Sequence, residues 1–207
     1  VRLSGLSLSE SLFFLGHDPF TGKARIRGHV LDIGLAAAAL ADLLCDERLT
    51  LDRGTVVPVS RYATGEPIAD RMLERVIAEP ERYGVRDWVE HLAESIFDIV
   101  VENLTVRELV IPQEKRGMFR HSLHYQPADL RIASTPRAAI RSAMLGRTEC
   151  DLPVATLALI AWTIGLDKVC APESLTEWVE RAKEVIVAPF DGLIAGTGAA
   201  VHGGNRR

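Results

Sequence analysis

Residues 152–166 read LPVATLALIAWTIGL, fifteen positions without one charged side chain. Asp151 can cap the first turn of a helix there, and Pro153 fits inside that turn, where its missing N–H is no loss. Gly165 marks the expected end. At ~1.5 Å rise per residue the stretch covers ~22 Å, short of the ~30 Å hydrocarbon core of a bilayer. A helix apolar on every face either spans a membrane or is surrounded by protein. The length selects the second reading. The expected architecture is mostly α, a helical bundle around one buried central helix, with small β-hairpins.

The rest of the chain agrees with that class. Its 207 residues fit a single domain, 1–207, and 47% hydrophobic against 25% charged residues suffices for a real core. A net charge of −4 argues against a general nucleic-acid binder, whose phosphate contacts need concentrated positive charge. The balance is uneven, however: residues 107–141 hold seven Arg/Lys against three acids, a local +4. Arginine outnumbers lysine twenty to four, alongside much Ala, Gly and Val. That reads as a GC-rich, bacterial genome, although arginine also suits phosphate forks. Cys45, Cys150 and Cys170 lack CxxC spacing and read as free thiols of a reducing cytoplasm. Near the N-terminus, Glu10 interrupts any apolar run, and no signal peptide or membrane span is expected.

Along the chain, Leu8, Leu12 and Leu15 recur at helical spacing behind Ser7 or Ser9 as a cap. A turn-rich link (17–22) leads through Lys23, Arg25 and Arg27 to a helix over 29–45, whose alanines permit close approach to a neighbour. Residues 48–59 alternate around Arg53-Gly54 as a hairpin. Helices are expected at 69–79, 85–93, from Ser95 onward, at 136–145 and at 173–187. A second hairpin pairs 109–111 with 118–125 across a polar QEKRG turn. The Gly-rich tail from 192 is expected to loosen toward its end.

Catalytic patterns are absent: no GxSxG, SxxK, Walker motif or HExxH. Gly196, Gly198, Gly203 and Gly204 miss the GxGxxG spacing. His121 and His124, three apart on a strand, fall on opposite faces and cannot share a metal. No enzyme activity, cofactor or metal is expected. The remaining signal is cationic. Arg25 and Arg27 approach a helix N-terminus, whose free N–H groups favour an anion. Lys115, Arg116 and Arg120 sit on the second hairpin. If the two segments meet, they could hold a phosphate; as scattered solvated charges they would contribute little.

The order of elements resembles the Golgi phosphoprotein 3 family. The stretches that carry the likeness are LSLSESLFFLG (6–16), the approach from Gly22 to Gly34, GLAAAALADLLCDERLTLD (34–52), VRDWVEHL (85–92), VENLTVRELVIPQEKRGMFRHSLHYQP (101–127) and the uncharged helix at 152–166. The resemblance implies a peripheral membrane protein that binds phosphatidylinositol 4-phosphate. Eukaryotic members dock on Golgi membranes and retain glycosyltransferases. It also implies self-association through a hairpin, here 109–125, with Met118, Phe119, Leu123 and Tyr125 as the surface. The family's head-group tryptophan and three arginines fall on Arg27, Ala36, Glu94 and Phe97, so none is kept by identity, and Glu94 would repel a phosphate.

Two functions follow from the sequence. One is a module at the inner face of the membrane that binds anionic phospholipid head groups through Arg25, Arg27, Lys115, Arg116 and Arg120. The alternative is a cytoplasmic interaction or scaffold module that keeps the fold without the lipid pocket, possible as a homo-oligomer through the hairpin.

Overall fold

The computed structural model describes all residues except 1, 2, 4, 80, 82, 117–120, 171–174 and 204–207, and the backbone alone at 115, 116, 121, 122 and 175–177. Helix α1 (Leu8–Gly16) opens with a reciprocal capping box. Ser7 Oγ accepts from the Glu10 N–H at 3.2 Å, and Glu10 Oε2 accepts from the Ser7 N–H at 2.9 Å. Every residue of α1 is buried. Its main neighbour is α2 (Gly28–Cys45), whose residues from Ile33 to Leu44 are all buried.

Helix α2 is the hub. It packs on α1, α3 (Pro67–Ala78), α4 (Val85–Ala93), α5 (Ile96–Val106), α7 (Leu152–Thr163) and α10 (Phe190–Gly203). Its alanine run lets these helices approach closely, and at Gly34 no side chain fits. A Cβ there would lie 2.5 Å from Ile164 Cδ1 and 3.0 Å from Leu12 Cδ2. With 18 residues and mean hydropathy 1.6, α2 is long and apolar enough to cross a bilayer, yet 72% of it is buried inside the fold. One charge-bearing residue interrupts its core face. Asp42 Oδ1 and Oδ2 accept from the Leu8 N–H (3.1 and 3.2 Å), so the carboxyl group caps the start of α1. Burial pushes its pKa well above the usual carboxylate range, against the pull of the Leu8 bond.

Helix α7 begins as expected, with Asp151 Oδ1 accepting from the Val154 N–H at 2.9 Å and Pro153 in the first turn. Residues from Val154 to Ala161 are buried, and Gly165 adopts φ +82° just past the end. Trp162, in the last turn, emerges from the bundle at 42% exposure. The buried-helix architecture therefore holds, and it uses two apolar rods, α2 and α7, in mutual contact.

Strands β1 (Leu49–Asp52) and β2 (Thr55–Pro58) pair antiparallel around Arg53 and Gly54, both at positive φ, as a two-residue hairpin turn demands. The second hairpin is longer than the sequence suggested. β3 (Val110–Arg116) pairs with β4 (His121–Pro127) in a register running from Val110↔Pro127 to Arg116↔His121. The polar residues Gln113 to Arg116 extend the strand instead of forming the turn. Cross-strand polar pairing accounts for this at Gln113, whose Nε2 donates to Gln126 Oε1 at 2.8 Å. Helix α6 (Leu130–Met144) likewise starts earlier than Pro136, because Asp129 accepts from the Arg131 N–H at 2.8 Å and caps it.

The short α8 (Asp167–Cys170) and α9 (Leu175–Val185) close over α7. The start of the tail departs most from expectation: Gly192, Gly196, Gly198 and Gly203 form part of α10, while its end (204–207) lies outside the described residues. Their bareness is the reason. A Cβ on Gly196 would lie 2.5 Å from Val85 Cγ1, so this helix seats against α4 only without side chains there.

Candidate functional site

The link between α1 and α2 meets the second hairpin through the backbone, at the end remote from Lys115 and Arg116. After α1, Asp18 folds the chain back, accepting from the Thr21 N–H (2.9 Å), and the link then runs beside β4. The Tyr125 N–H donates to Gly22 O (3.0 Å), Gln126 Nε2 donates to Phe20 O (3.0 Å), and His124 Nδ1 lies 2.9 Å from Thr21 O. Gly22 makes this possible, since its φ is +66° and a Cβ would lie 2.7 Å from the Tyr125 carbonyl carbon.

Among the described side chains, the cations are not focused on one point. Arg25 Nε donates to His17 O (3.1 Å), and its Nη2 lies 3.3 Å from Asp18 Oδ2, so its guanidinium braces the link. Arg27 is the N-cap residue of α2, is exposed, and makes no side-chain cap bond. Lys23 is exposed as well. Lys115 and Arg116 lie at the far end of β3, where only the backbone is described. Arg120, Met118 and Phe119 lie outside the described residues. Leu123 is 56% exposed, while Tyr125 is half-buried.

Between the link, the start of α2, the α4–α5 junction and β4 lies a cleft of about 460 Å³, within the range of small-molecule sites. One wall is aromatic. His17, Phe97 and Tyr125 have mutual ring-centroid distances of 5.5–6.0 Å, and His17 stacks on Phe13 at 4.1 Å. The rim carries the carboxylates of Asp32, Glu94 and Asp98. Among the described lining residues none is Lys or Arg. Beside the cleft on the α5 side, Arg75 donates to Ser95 Oγ. Two helix N-termini, of α2 and α5, open here, and each contributes roughly +0.5 charge. That leaves three carboxylates against about +1, so the cleft is acidic.

Burial raises the Asp32 pKa to about 6, with Asp98 adding to the rise and His29 opposing it. Burial lowers the pKa of His17; the bond to Phe13 O opposes this, and Arg25 adds to the lowering. Because the folded Asp32 holds its proton more tightly than an ordinary carboxyl, its contribution to stability is complete below about pH 4 and is lost as pH rises through about 6. Asp32→Asn is therefore expected to stabilise the protein at pH 7.5 by on the order of 1 kcal/mol, a figure reduced because the group is half-exposed. Thermal unfolding at pH 7.5 and pH 4 checks it; an equal gain at both would reject the assignment.

Glu94 and Phe97 were reached through the resemblance and do line this cleft, and Arg27 caps the adjoining helix. Asp32, Asp98 and His17 were not singled out in the sequence. Only the polar interruption of an apolar helix at Asp32 could have hinted at them. Among the described residues there is no group of three His, Cys, Asp or Glu able to hold a metal.

Helices wrapped around an alanine-rich rod, with a hairpin docked beside a cleft on the outer surface, define an α-helical module with a surface site. The sequence model of the Golgi phosphoprotein 3 family, GPP34, matches residues 8–196, and the chain belongs to that family. No curated protein matches it.

Proposed function

We propose that this chain is a peripheral membrane module that docks on anionic phospholipid through its outer edge, where the 18–27 link meets the β3–β4 hairpin. What supports the reading is one juxtaposition. Phe20, 74% exposed, is tied through its carbonyl to Gln126, which pairs with Ile111, itself 52% exposed. Lys23 and Arg27 follow on the same link. Exposed apolar side chains beside solvated cations suit the headgroup boundary, where rings insert and each cation adds about 1 kcal/mol. A phosphoinositide phosphate in the acidic cleft would face Asp32, Glu94 and Asp98, so docking is assigned to the edge instead.

Co-sedimentation with phosphatidylglycerol vesicles tests this. Binding is expected to fall with salt, and Lys23→Ala with Arg27→Ala, two cations at about 1 kcal/mol each, to weaken it about thirtyfold. Absence of binding to these vesicles at low salt would reject docking. The scaffold reading is favoured by one observation, the exposure of Leu123 and Ile111 on the hairpin, and predicts that Leu123→Asp lowers the mass found by light scattering.

A further inference from the structure

The aromatic-walled cleft offers acceptors on every side. His17 is only 4% exposed and lines it. Its Nδ1 lies 2.9 Å from Phe13 O, and since a carbonyl only accepts, Nδ1 carries the proton. That leaves Nε2 of a neutral ring as a bare lone pair, without a partner among the described residues. Asp32, Glu94 and Asp98 likewise have no hydrogen-bond or ion-pair partner among the described residues. His17 is buried and Asp32 half-buried, and acceptors so placed without donors are costly and call for one, whereas the exposed Glu94 and Asp98 add solvated negative charge at the mouth. The faces of Phe97 and Tyr125 add the quadrupole attraction that rings exert on cations.

We propose that this cleft binds a primary alkylammonium group, with Asp32 and Asp98 as carboxylate acceptors, His17 Nε2 as a third acceptor and the Phe97–Tyr125 wall against its carbon stem. An ammonium carries three N–H donors and no acceptor, the complement of this lining. A phosphate is the reverse and is repelled. The ammonium belongs either to a free amine or to an ethanolamine lipid head group. This site is distinct from the docking edge, and either can fail without the other.

The groups facing Asp32 are His29 on its own helix, Asp98 and Glu94 from the α4–α5 side, His17 from the end of α1 and Tyr125 from β4, with Arg75 beyond Ser95. None except Arg75 is a fixed cation, so protonation of Asp32 in mild acid removes charge that the ligand needs.

Titration calorimetry on the full chain uses ethanolamine, choline and sodium phosphate as probes. Saturable ethanolamine binding is expected at pH 7.5, at least tenfold tighter than choline, which has no N–H donor, and weaker at pH 5. Asp32→Asn and, independently, the exposed Asp98→Asn are each expected to weaken it about tenfold. Competition by phosphatidylethanolamine vesicles would assign the lipid source, and its absence the free amine; both support the site. No saturable ethanolamine binding, equal affinity for choline, or preferential phosphate binding would overturn it.

Discussion

Replacing Glu10 by alanine is expected to lower the unfolding temperature by about 6–16 °C, through a loss of about 3–4 kcal/mol at roughly 2–4 °C per kcal/mol in a chain this long. The Glu10 side chain is 1% exposed, yet Oε1 accepts from Asn103 Nδ2 at 2.9 Å and from Arg107 Nη1, while Oε2 accepts from the Ser7 N–H. One carboxylate thus closes the cap of α1 and fastens α1 to α5. Alanine removes the charge and leaves those donors facing a void. Glu10→Gln retains one acceptor and is expected to cost about 1 kcal/mol. Circular dichroism melts of both variants measure this. A shift under about 2 °C for alanine would show that the donors find other partners.

The second large effect falls on Gly22→Ala. Its left-handed φ costs an alanine about 1–2 kcal/mol, and the new Cβ would lie 2.7 Å from both the nitrogen and the carbonyl carbon of Tyr125. Backbone of a paired strand cannot give way as a flexible side chain does, so overpacking adds about 1–3 kcal/mol. The expected outcome is local: the link separates from β4 while the helical core stays folded. Hydrogen exchange at the Tyr125 amide should speed up about a hundredfold, as a local opening made about 3 kcal/mol easier requires. Unchanged protection at Tyr125 would refute the coupling of link and hairpin.

Much of this was readable in the chain because local chemistry set it. Asp151 and Ser7 announce helix starts through their own oxygens, and the Arg53-Gly54 turn follows from two left-handed residues. The α4 segment falls where its apolar stripe ends. What escaped depends on neighbours remote in sequence. The α10 glycines suggest a loose tail until Val85 is seen against Gly196. Gln113 to Arg116 suggest a turn until β4 supplies partners. The cleft is the extreme case. His17, Asp32, Asp98 and Tyr125 come from four segments, each ordinary alone, and their shared charge exists only after packing. The resemblance located Glu94 and Phe97, but Asp32 and Asp98, which supply two of the three carboxylates, it did not mark.

The burial of α2 bears on how the chain is made. A rod with the composition of a bilayer span leaves the ribosome well before α7 and α10, which cover it and begin at Leu152 and Phe190. At about 5–20 residues per second, translation from Cys45 to Phe190 lasts roughly 7–30 s. Until α7 emerges, the alanine-rich surface has α1, β1, α3, α4 and α5 to shelter it. Nascent copies are therefore exposed to chaperone capture and to mistaken delivery toward the insertion machinery, a hazard that ends only once α10 has packed.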